Sequence, residues 1–291
     1  MRTLPRLPKI IGWLLLGISI SACSTIKLGY NNVAELGYWW IDGYVDFSSG
    51  QTPLAREELA KLHQWHRGTE LPRVVNLLKR LEALASADVN QDQVCTAFSD
   101  IRERITALTQ QALPAVAGMA VGLEPRQIAY TEQKLAKTRE QYRKDWLESR
   151  REVRDEKRYT TWLDRIESIY GRLDDGQRDT LRKQVALSSF VPPTGFAQMQ
   201  RRHDDLLQTL RAVVTQPATN ATQAQPIIQA YVQRAQASPI AQHRQHQEQL
   251  IQESCRTLMV VHNSTTATQR ESAVRRLQAY QRDLQELSAA R

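Results

Sequence analysis

The chain has 291 residues, 24% of them charged, and its formal charge at pH 7 is +8. This length suffices for one large domain or two small ones. Glycine and proline are scarce and confined to junctions, and alternating runs of β-branched residues are absent, which argues against a sheet-based fold. The composition and periodicity predict an all-α protein.

The N-terminus has the pattern of a cleaved secretory signal over residues 1–22. Basic residues precede an apolar run, residues 10–20, that is too short to span a bilayer as a helix. The tetrapeptide Ile20-Ser21-Ala22-Cys23 resembles the lipobox of bacterial lipoproteins. The resemblance implies an acylated Cys23 followed by a short tether over residues 23–28, and several acyl chains anchor a protein stably. The alternative is an ordinary signal peptide with an incidental cysteine.

The lipobox resemblance also implies a location. Position 24 is Ser, not the Asp that holds many such lipoproteins in the inner membrane, so we expect the periplasmic face of the outer membrane. This compartment excludes nucleic acid as a partner. Without the three basic residues of the signal the formal charge is +5, from 39 − 3 = 36 basic against 31 acidic residues. That surplus either faces anionic envelope components or simply belongs to a solvated surface.

Two cysteines, Cys95 and Cys255, remain in the mature chain. An even pair in an oxidising compartment predicts a disulfide. The chain-entropy model gives about 5 kcal/mol for closing so long a loop. The alternative is two buried free thiols. A catalytic cysteine is disfavoured because neither residue lies beside a histidine or in a CxxC pair.

Helical periodicity places the elements of a single domain, residues 29–291. The helix near Pro114 is expected to bend or break there, and residues 125–172 form one long helix unless the chain breaks near Ser149. Residues 215–226 have the composition of a linker. The predicted fold is a multi-helix bundle with at least one long helix, in the order 33–47, 54–67, 72–87, 92–119, 125–172, 177–190, 196–214, 227–237, 240–262 and 267–289.

The first of these helices has two candidate faces. One apolar stripe is expected to pack into the core of the bundle; it consists of Val33, Leu36, Trp40, Tyr44 and Phe47. Tyr38 and Trp39 then face elsewhere, close to Cys23, as candidate contacts with the membrane or a partner. The alternative is that the whole helix lies against the lipid headgroups, where Trp and Tyr are favoured.

The stretch HQWHRGTELPR, residues 63–73, resembles a metal site at first sight. His63, His66 and Glu70 would share one face of a continuous helix. However, Gly68 suits the position after a helix and Thr69 suits an N-cap, so we predict a break between them.

The predicted break turns this stretch into a corner between two helices. In that corner Trp65 is the packing anchor, and Glu70 is placed to meet His66 or Arg67. A second HxxH pair, His243 and His246, lies in a polar segment typical of a solvated helix face. We therefore predict neither a metal site nor a cofactor.

Four predicted helix starts end in a glutamine that suits a capping box. They are Ser48-Ser49-Gly50-Gln51, Glu124-Pro125-Arg126-Gln127, Asp174-Asp175-Gly176-Gln177 and Thr266-Ala267-Thr268-Gln269. We interpret them as well-made caps. Two of them also resemble the LTxxQ motif of Spy/CpxP-type periplasmic chaperones, with Glu124 and Asp174 in place of the Thr.

A wider resemblance runs along most of the mature chain. YNNVAELGYWWIDGYVDF (30–47), HQWHRGTELPR, IYGRLDDGQR (169–178) and VVHNSTTATQR (260–270) occur in this order. Together they resemble a family of proteobacterial lipoproteins known as domain of unknown function 6279. The resemblance implies an all-helical lipoprotein with its lipobox at Cys23, and it carries no established activity or catalytic residue.

The sequence contains no GxSxG, HExxH, P-loop or glycine-rich dinucleotide motif. We therefore predict a non-enzymatic, membrane-anchored helical module with a binding or chaperone-like role. The alternative is a structural or adaptor subunit of an envelope assembly, with other envelope proteins as partners. A metal-binding protein or an enzyme is the third hypothesis.

Overall fold

The computed structural model describes residues 21–215 and 220–290, nearly all of them helical. The helices are α1 (Ser21–Asn31), α2 (Val33–Val45), α3 (Thr52–Trp65), α4 (Leu71–Ala85), α5 (Gln91–Val121), α6 (Pro125–Tyr142), α7 (Arg151–Tyr170), α8 (Asp175–Ala186), α9 (Pro192–Thr215), α10 (Ala221–Gln236), α11 (Ala241–Asn263) and α12 (Ala267–Ala289). These ranges contain no strand, which confirms the all-α prediction. Within them, no helix combines the length and apolarity needed to cross a membrane. Residues 1–20 of the predicted signal lie outside the described residues.

The segment 23–28, expected to be a short tether, is part of helix α1. The ammonium group of Lys27 pairs with Glu286 and lies 3.4 Å from the Asp283 carboxylate, both on α12. Cys23 is therefore carried by a helix that is fixed to the last helix of the chain.

Helix α5 is the longest of the described helices, with 31 residues. It continues through Pro114, where we expected a bend or an interruption. An interior proline removes one helical hydrogen bond. Packing offsets that loss, because the neighbouring Leu113, Ala117 and Ala120 are all buried in one hydrophobic cluster. The prediction of at least one long helix is confirmed.

The predicted helix over 125–172 consists of two helices. Helix α6 runs into a π-helical turn, Arg143–Leu147, and Arg150 then takes extended backbone angles before α7 begins. The Arg154 guanidinium donates to the carbonyl oxygens of Trp146 (3.2 Å) and Ser149 (3.0 Å). Carbonyls at a helix end need such partners. The break lies next to Ser149, the position that the sequence analysis named as the possible break.

Two hydrophobic bodies share helix α5. In the first body, α6, α9 and α10 pack around the C-terminal half of α5. In the second body, α4, α7, α8, α11 and α12 surround its N-terminal end through three smaller clusters. Because α5 contributes Leu113 to the first body and Val94 to the second, it connects the two cores.

The predicted disulfide is confirmed. Cys95 of α5 and Cys255 of α11 are bonded, with Cα atoms 5.3 Å apart and a sequence separation of 160. Cys255 is fully buried and packs in the cluster that holds Val89 and Val94. The bond therefore closes the second body.

Helix α10 begins inside the segment predicted as a linker. The Asn220 side chain accepts a hydrogen bond from the backbone N–H of Gln223 (3.0 Å), which caps the helix, and Pro226 is accommodated within it. Of the predicted linker, residues 216–219 lie outside the described residues.

Candidate functional site

The exposed apolar face of α2 is the most distinctive surface near the N-terminus. Leu36 is 57% exposed, Trp39 is 59% exposed and Trp40 is 69% exposed. We call these three residues the aromatic surface. The prediction that the stripe packs into the core is wrong for Val33, Leu36 and Trp40, which are all exposed. It holds at the end of the stripe, where Tyr44 and Phe47 pack against the first body.

The cause is Tyr38, which is buried rather than exposed (4%). Its hydroxyl is 3.0 Å from the hydroxyl of Thr52, and its ring stacks with that of Phe47. The Arg56 guanidinium lies 4.4 Å from the centre of the Tyr38 ring. Tyrosine can satisfy its hydroxyl while burying its ring, so α2 turns Tyr38 inward and Trp40 outward. Of the two predicted contact residues, only Trp39 is accessible.

The aromatic surface is on the helix that follows the predicted acylation position. Cys23 is on α1, and α2 follows after Asn32. Trp39 comes 16 positions after Cys23, and the residues between them are helical except Asn32, so a rise of about 1.5 Å per residue limits the distance to about 24 Å. Leu28 and Val33, which lie between them in the chain, are also exposed. The exposed apolar residues therefore extend from α1 along α2.

The predicted corner at Gly68–Thr69 does not form. Helices α3 and α4 are joined without a break by a π-helical turn, His66–Glu70. Trp65 is only half-buried, so it is not the packing anchor that we expected. The Arg67 guanidinium donates to the Asn31 side chain (2.7 Å) and to the carbonyl oxygen of Leu287 (3.3 Å).

Glu70 is the buried charge of this turn. It is 1% exposed, and its two carboxylate oxygens accept from Arg73 (2.8 Å) and from Arg104 of α5 (3.3 Å). The expected pairing with His66 or Arg67 is therefore replaced by one with two other arginines. A buried carboxylate is tolerated only when it is paired. The preference of Gly68 and Thr69 for helix ends is weaker than the need to pair the buried Glu70 carboxylate.

The two histidines of the stretch surround Tyr30 of α1. The Tyr30 hydroxyl is 2.9 Å from Nδ1 of His66, and its ring packs edge-on against His63. Burial raises the pKa of Tyr30 to about 12 and lowers the pKa of both imidazoles. In the described part of the chain, no three His, Cys, Asp or Glu side chains are grouped so as to hold a metal ion.

The glutamines of the four predicted caps meet in pairs. In the first glutamine clamp, Nε2 of Gln51 donates to Oε1 of Gln127 (3.1 Å), and Nε2 of Gln127 donates to Oε1 of Gln51 (2.8 Å). Gln127 also donates to the carbonyl oxygen of Asp46 (2.9 Å), and Gln51 donates to that of Gly122 (2.6 Å). The first clamp thus ties the start of α3 to the start of α6.

The second glutamine clamp repeats this arrangement between α8 and α12. Gln177 and Gln269 exchange amide hydrogen bonds of 2.8 and 2.9 Å. Gln177 donates to the carbonyl oxygen of Ser264 (2.8 Å), and Gln269 donates to that of Arg172 (2.9 Å). The second clamp lies within the second body, whereas the first clamp joins α3 to the first body through α6; both are built from the same atoms.

The two clamps share one rule of position. Each glutamine donates to the carbonyl of the fifth residue before its partner glutamine, and its own oxygen accepts the N–H of the third residue before itself. Those third residues are Ser48, Glu124, Asp174 and Thr266. The four glutamines therefore reach back to the predicted cap residues, as a capping box requires. The pairing of one glutamine with another was not predicted.

The sequence analysis did not identify two further caps. Asn90 and Gln93 form a complete capping box at the start of α5, and Asn220 and Gln223 form another at α10. Their signal is the same, a capping side chain followed three residues later by glutamine. Within the described residues, the side chains of Gln93 and Gln223 bond only to their own caps, so they provide local counterparts of the clamp glutamines.

Comparison with known proteins gives one match. The model of a family of unknown function, DUF6279, matches residues 43–218, which is more than half of the chain. None of the curated proteins and none of the solved structures matches. The matched range is shorter than the resemblance in sequence suggested, since it ends before VVHNSTTATQR (260–270). The chain belongs to this family of unknown function.

Proposed function

We propose that the protein is a non-enzymatic lipoprotein of the bacterial envelope, anchored through acyl chains at Cys23 to the periplasmic face of the outer membrane. In this proposal the aromatic surface of α2 lies against the lipid headgroups and fixes how the helical body is presented to the periplasm. The protein then acts as a binding module held at a defined orientation.

The observation that carries the proposal is the exposure of Trp39 and Trp40 on the helix that follows the proposed anchor position. Indole rings favour the boundary between lipid and water, because one part of the ring is apolar and the N–H can be hydrogen-bonded. Exposed Leu28 and Leu36 add apolar area to the same stretch. An acyl anchor on α1 would bring this surface to the membrane at no further cost in translational entropy.

A second candidate function is that of an adaptor subunit. Exposed tryptophans are also frequent energetic centres of protein interfaces, so the aromatic surface could bind another envelope protein. The chaperone-like role has less support, because the LTxxQ-like turns place Gln127 and Gln177 in buried clamps and offer no surface to a client.

The anchor is tested by fractionation of the Cys23→Ala variant. We expect alkaline extraction to release this variant from the membrane and to leave the wild-type protein bound, because the acyl chains supply most of the membrane affinity. Retention of the variant after extraction would contradict the lipid anchor.

The aromatic surface is tested by fluorescence quenching in liposomes that contain brominated phospholipid. Quenching of the full-length protein is expected to fall strongly in Trp39→Phe/Trp40→Phe. The control is Trp162→Phe, which removes a half-buried tryptophan of the second body. Equal quenching in both variants would exclude membrane contact. A photo-crosslinker at position 40 that captures one envelope protein and no lipid would favour the adaptor.

A further inference from the structure

An apolar cleft runs between α4, α5, α7, α11 and α12 in the second body. Its volume is about 460 Å³, within the usual range of small-molecule sites. Members of all three clusters of the second body line it: Ile166 belongs to one, Ala85 and Leu277 to another, and Val94 to the third. The clusters remain separate because the cleft lies between them.

The polar groups on the wall are already paired with one another or with the backbone. Nδ1 of His262 is 2.7 Å from the Tyr170 hydroxyl, and its Nε2 is 2.8 Å from the carbonyl oxygen of Ala87. Burial lowers the pKa of His262 and raises the pKa of Tyr170 to about 12, so the imidazole stays neutral and the phenol donates to it. The Ser254 hydroxyl donates to the carbonyl oxygen of Leu250 (2.7 Å).

In residues 21–215 and 220–290, Arg165 is the one charged residue that lines the cleft. It is exposed to solvent, and among the described residues its guanidinium makes no ion pair. Among the described residues that line the cleft, none is acidic. A largely apolar wall with a cation at its edge that is unpaired within the described ranges is complementary to a molecule with one apolar chain and one negative charge.

We propose that this cleft binds a single-chain anionic amphiphile, with the acyl chain between α5 and α7 and the carboxylate or phosphate head on Arg165. Unfilled apolar space reduces stability in proportion to its volume, so an acyl chain gains affinity by filling it. The head could belong to a free fatty acid or to a lysophospholipid, since a carboxylate and a phosphate bind a guanidinium alike.

The disulfide fixes one wall of the cleft. Val94 and Ser254 both line it, and each directly precedes a bonded cysteine. The Cys95–Cys255 bond therefore holds α5 and α11 at a constant separation across the site. The cleft contains no residue of α1 or α2, so acyl binding and the proposed membrane contact of α2 can fail independently.

The test is photo-crosslinking of the full-length protein in its own membranes. Photoactivatable palmitate and photoactivatable lysophosphatidylglycerol are each applied, and the labelled peptides are identified by mass spectrometry. We expect label on peptides of α5 and α7, competed by the same unlabelled lipid. Label from palmitate alone identifies a free fatty acid as the ligand, and label from the lysophospholipid alone identifies a phosphate head.

Two variants separate the chain site from the head site. Ala97→Phe fills the cleft and should abolish the label, while Arg165→Gln should weaken binding about tenfold, as expected for the loss of one charged hydrogen bond. The control is Arg102→Gln, an exposed arginine elsewhere on α5. The proposal is overturned if the wild-type cleft takes no label, if Arg165→Gln labels like Arg102→Gln, or if neutral photoactivatable palmitoyl glycerol labels as well as palmitate. Because Arg165 is exposed, this variant remains informative even if Ala97→Phe does not fold.

Discussion

The two glutamine clamps use the same amide pairing but different caps. In the second clamp, the backbone N–H groups of Gln177 and Gln269 bond to the side chains of Asp174 and Thr266. In the first clamp, the corresponding N–H groups of Gln51 and Gln127 bond to backbone carbonyl oxygens. The cap therefore varies while the glutamine stays the same. This difference indicates that the tertiary bond, rather than the local cap, is the reason for glutamine at these four positions.

The bodies around the clamps also differ, because only the second body is closed by the disulfide. Replacing both cysteines by serine should cost roughly 2–5 kcal/mol of stability, since the unfolded chain regains the freedom of a long loop. The loss should be concentrated in the second body. Hydrogen exchange in urea is the measurement.

In the double-serine variant, amides of α11 and α12 should lose protection before those of α6 and α9. Equal loss in both bodies would mean that the chain unfolds as one unit and that the division into two bodies has no energetic meaning.

The clamp bonds should have the next largest effect. Gln127→Ala and Gln177→Ala should each reduce the free energy of unfolding by about 2–3 kcal/mol, because a buried carbonyl and a partner amide lose their hydrogen bonds. Urea denaturation gives this value. If the clamps are equivalent, the two losses will agree.

The chain supplies its own control for the clamps. Gln93→Ala removes a capping glutamine that has no partner glutamine, and it should cost about 1 kcal/mol or less. In double-mutant cycles, Gln51/Gln127 and Gln177/Gln269 should couple by about 1 kcal/mol or more. Coupling near zero in either pair would reduce that clamp to two independent caps.

Changes at the caps test the difference between the clamps. Thr266→Ala removes the acceptor for the Gln269 N–H and should cost about 1 kcal/mol. Ser48→Ala should cost much less, because the bonds that join Ser48 to Gln51 pass through its backbone. Thermal unfolding of the two variants makes the comparison. Equal losses would remove the distinction between the clamps.

The smallest expected effect is a pH dependence from His262, in the second body. Burial lowers its folded pKa below the ordinary value of 6.5, so the unfolded chain takes up a proton first as the pH falls. The stability contributed by the neutral imidazole is complete above about pH 6.5 and is lost as the pH falls from there through the folded pKa.

His262→Gln should therefore lose less stability than the wild type between about pH 7 and pH 5.5. Some dependence should remain, since burial also lowers the pKa of His203 in the first body. Urea midpoints at the two pH values provide the measurement. If the urea midpoint of the variant changes with pH as much as that of the wild type, His262 does not contribute to the pH dependence of stability.

The sequence predicted those features that depend on local spacing. The caps and most helices follow from neighbouring residues. The disulfide follows from the even number of cysteines in the mature chain. The pairing of Gln51 with Gln127 joins distant loops, so no local pattern could indicate it. Similarly, Tyr38 and Trp40 are two positions apart and lie on roughly opposite faces of α2, and periodicity alone fits either face. The hydroxyl partner that decides between them, Thr52, comes from another helix.

The turn at Gly68 shows how a tertiary requirement overrides local preference. Gly68 favours a helix end and Thr69 a helix start, but the helix continues through both of them and buried Glu70 pairs with Arg104 of α5. The extra residue of the π-helical turn re-aims side chains without ending the helix. The pairing of Glu70 with Arg104 could not be predicted from the local sequence, because it depends on the position of α5.

The attachment of α1 to α12 has a mechanical consequence. The two ends of the described chain meet there through Lys27, Asp283 and Glu286, and α12 packs along much of α4. A pull on the start of α1 therefore acts on α12 and on the second body as well as on α2.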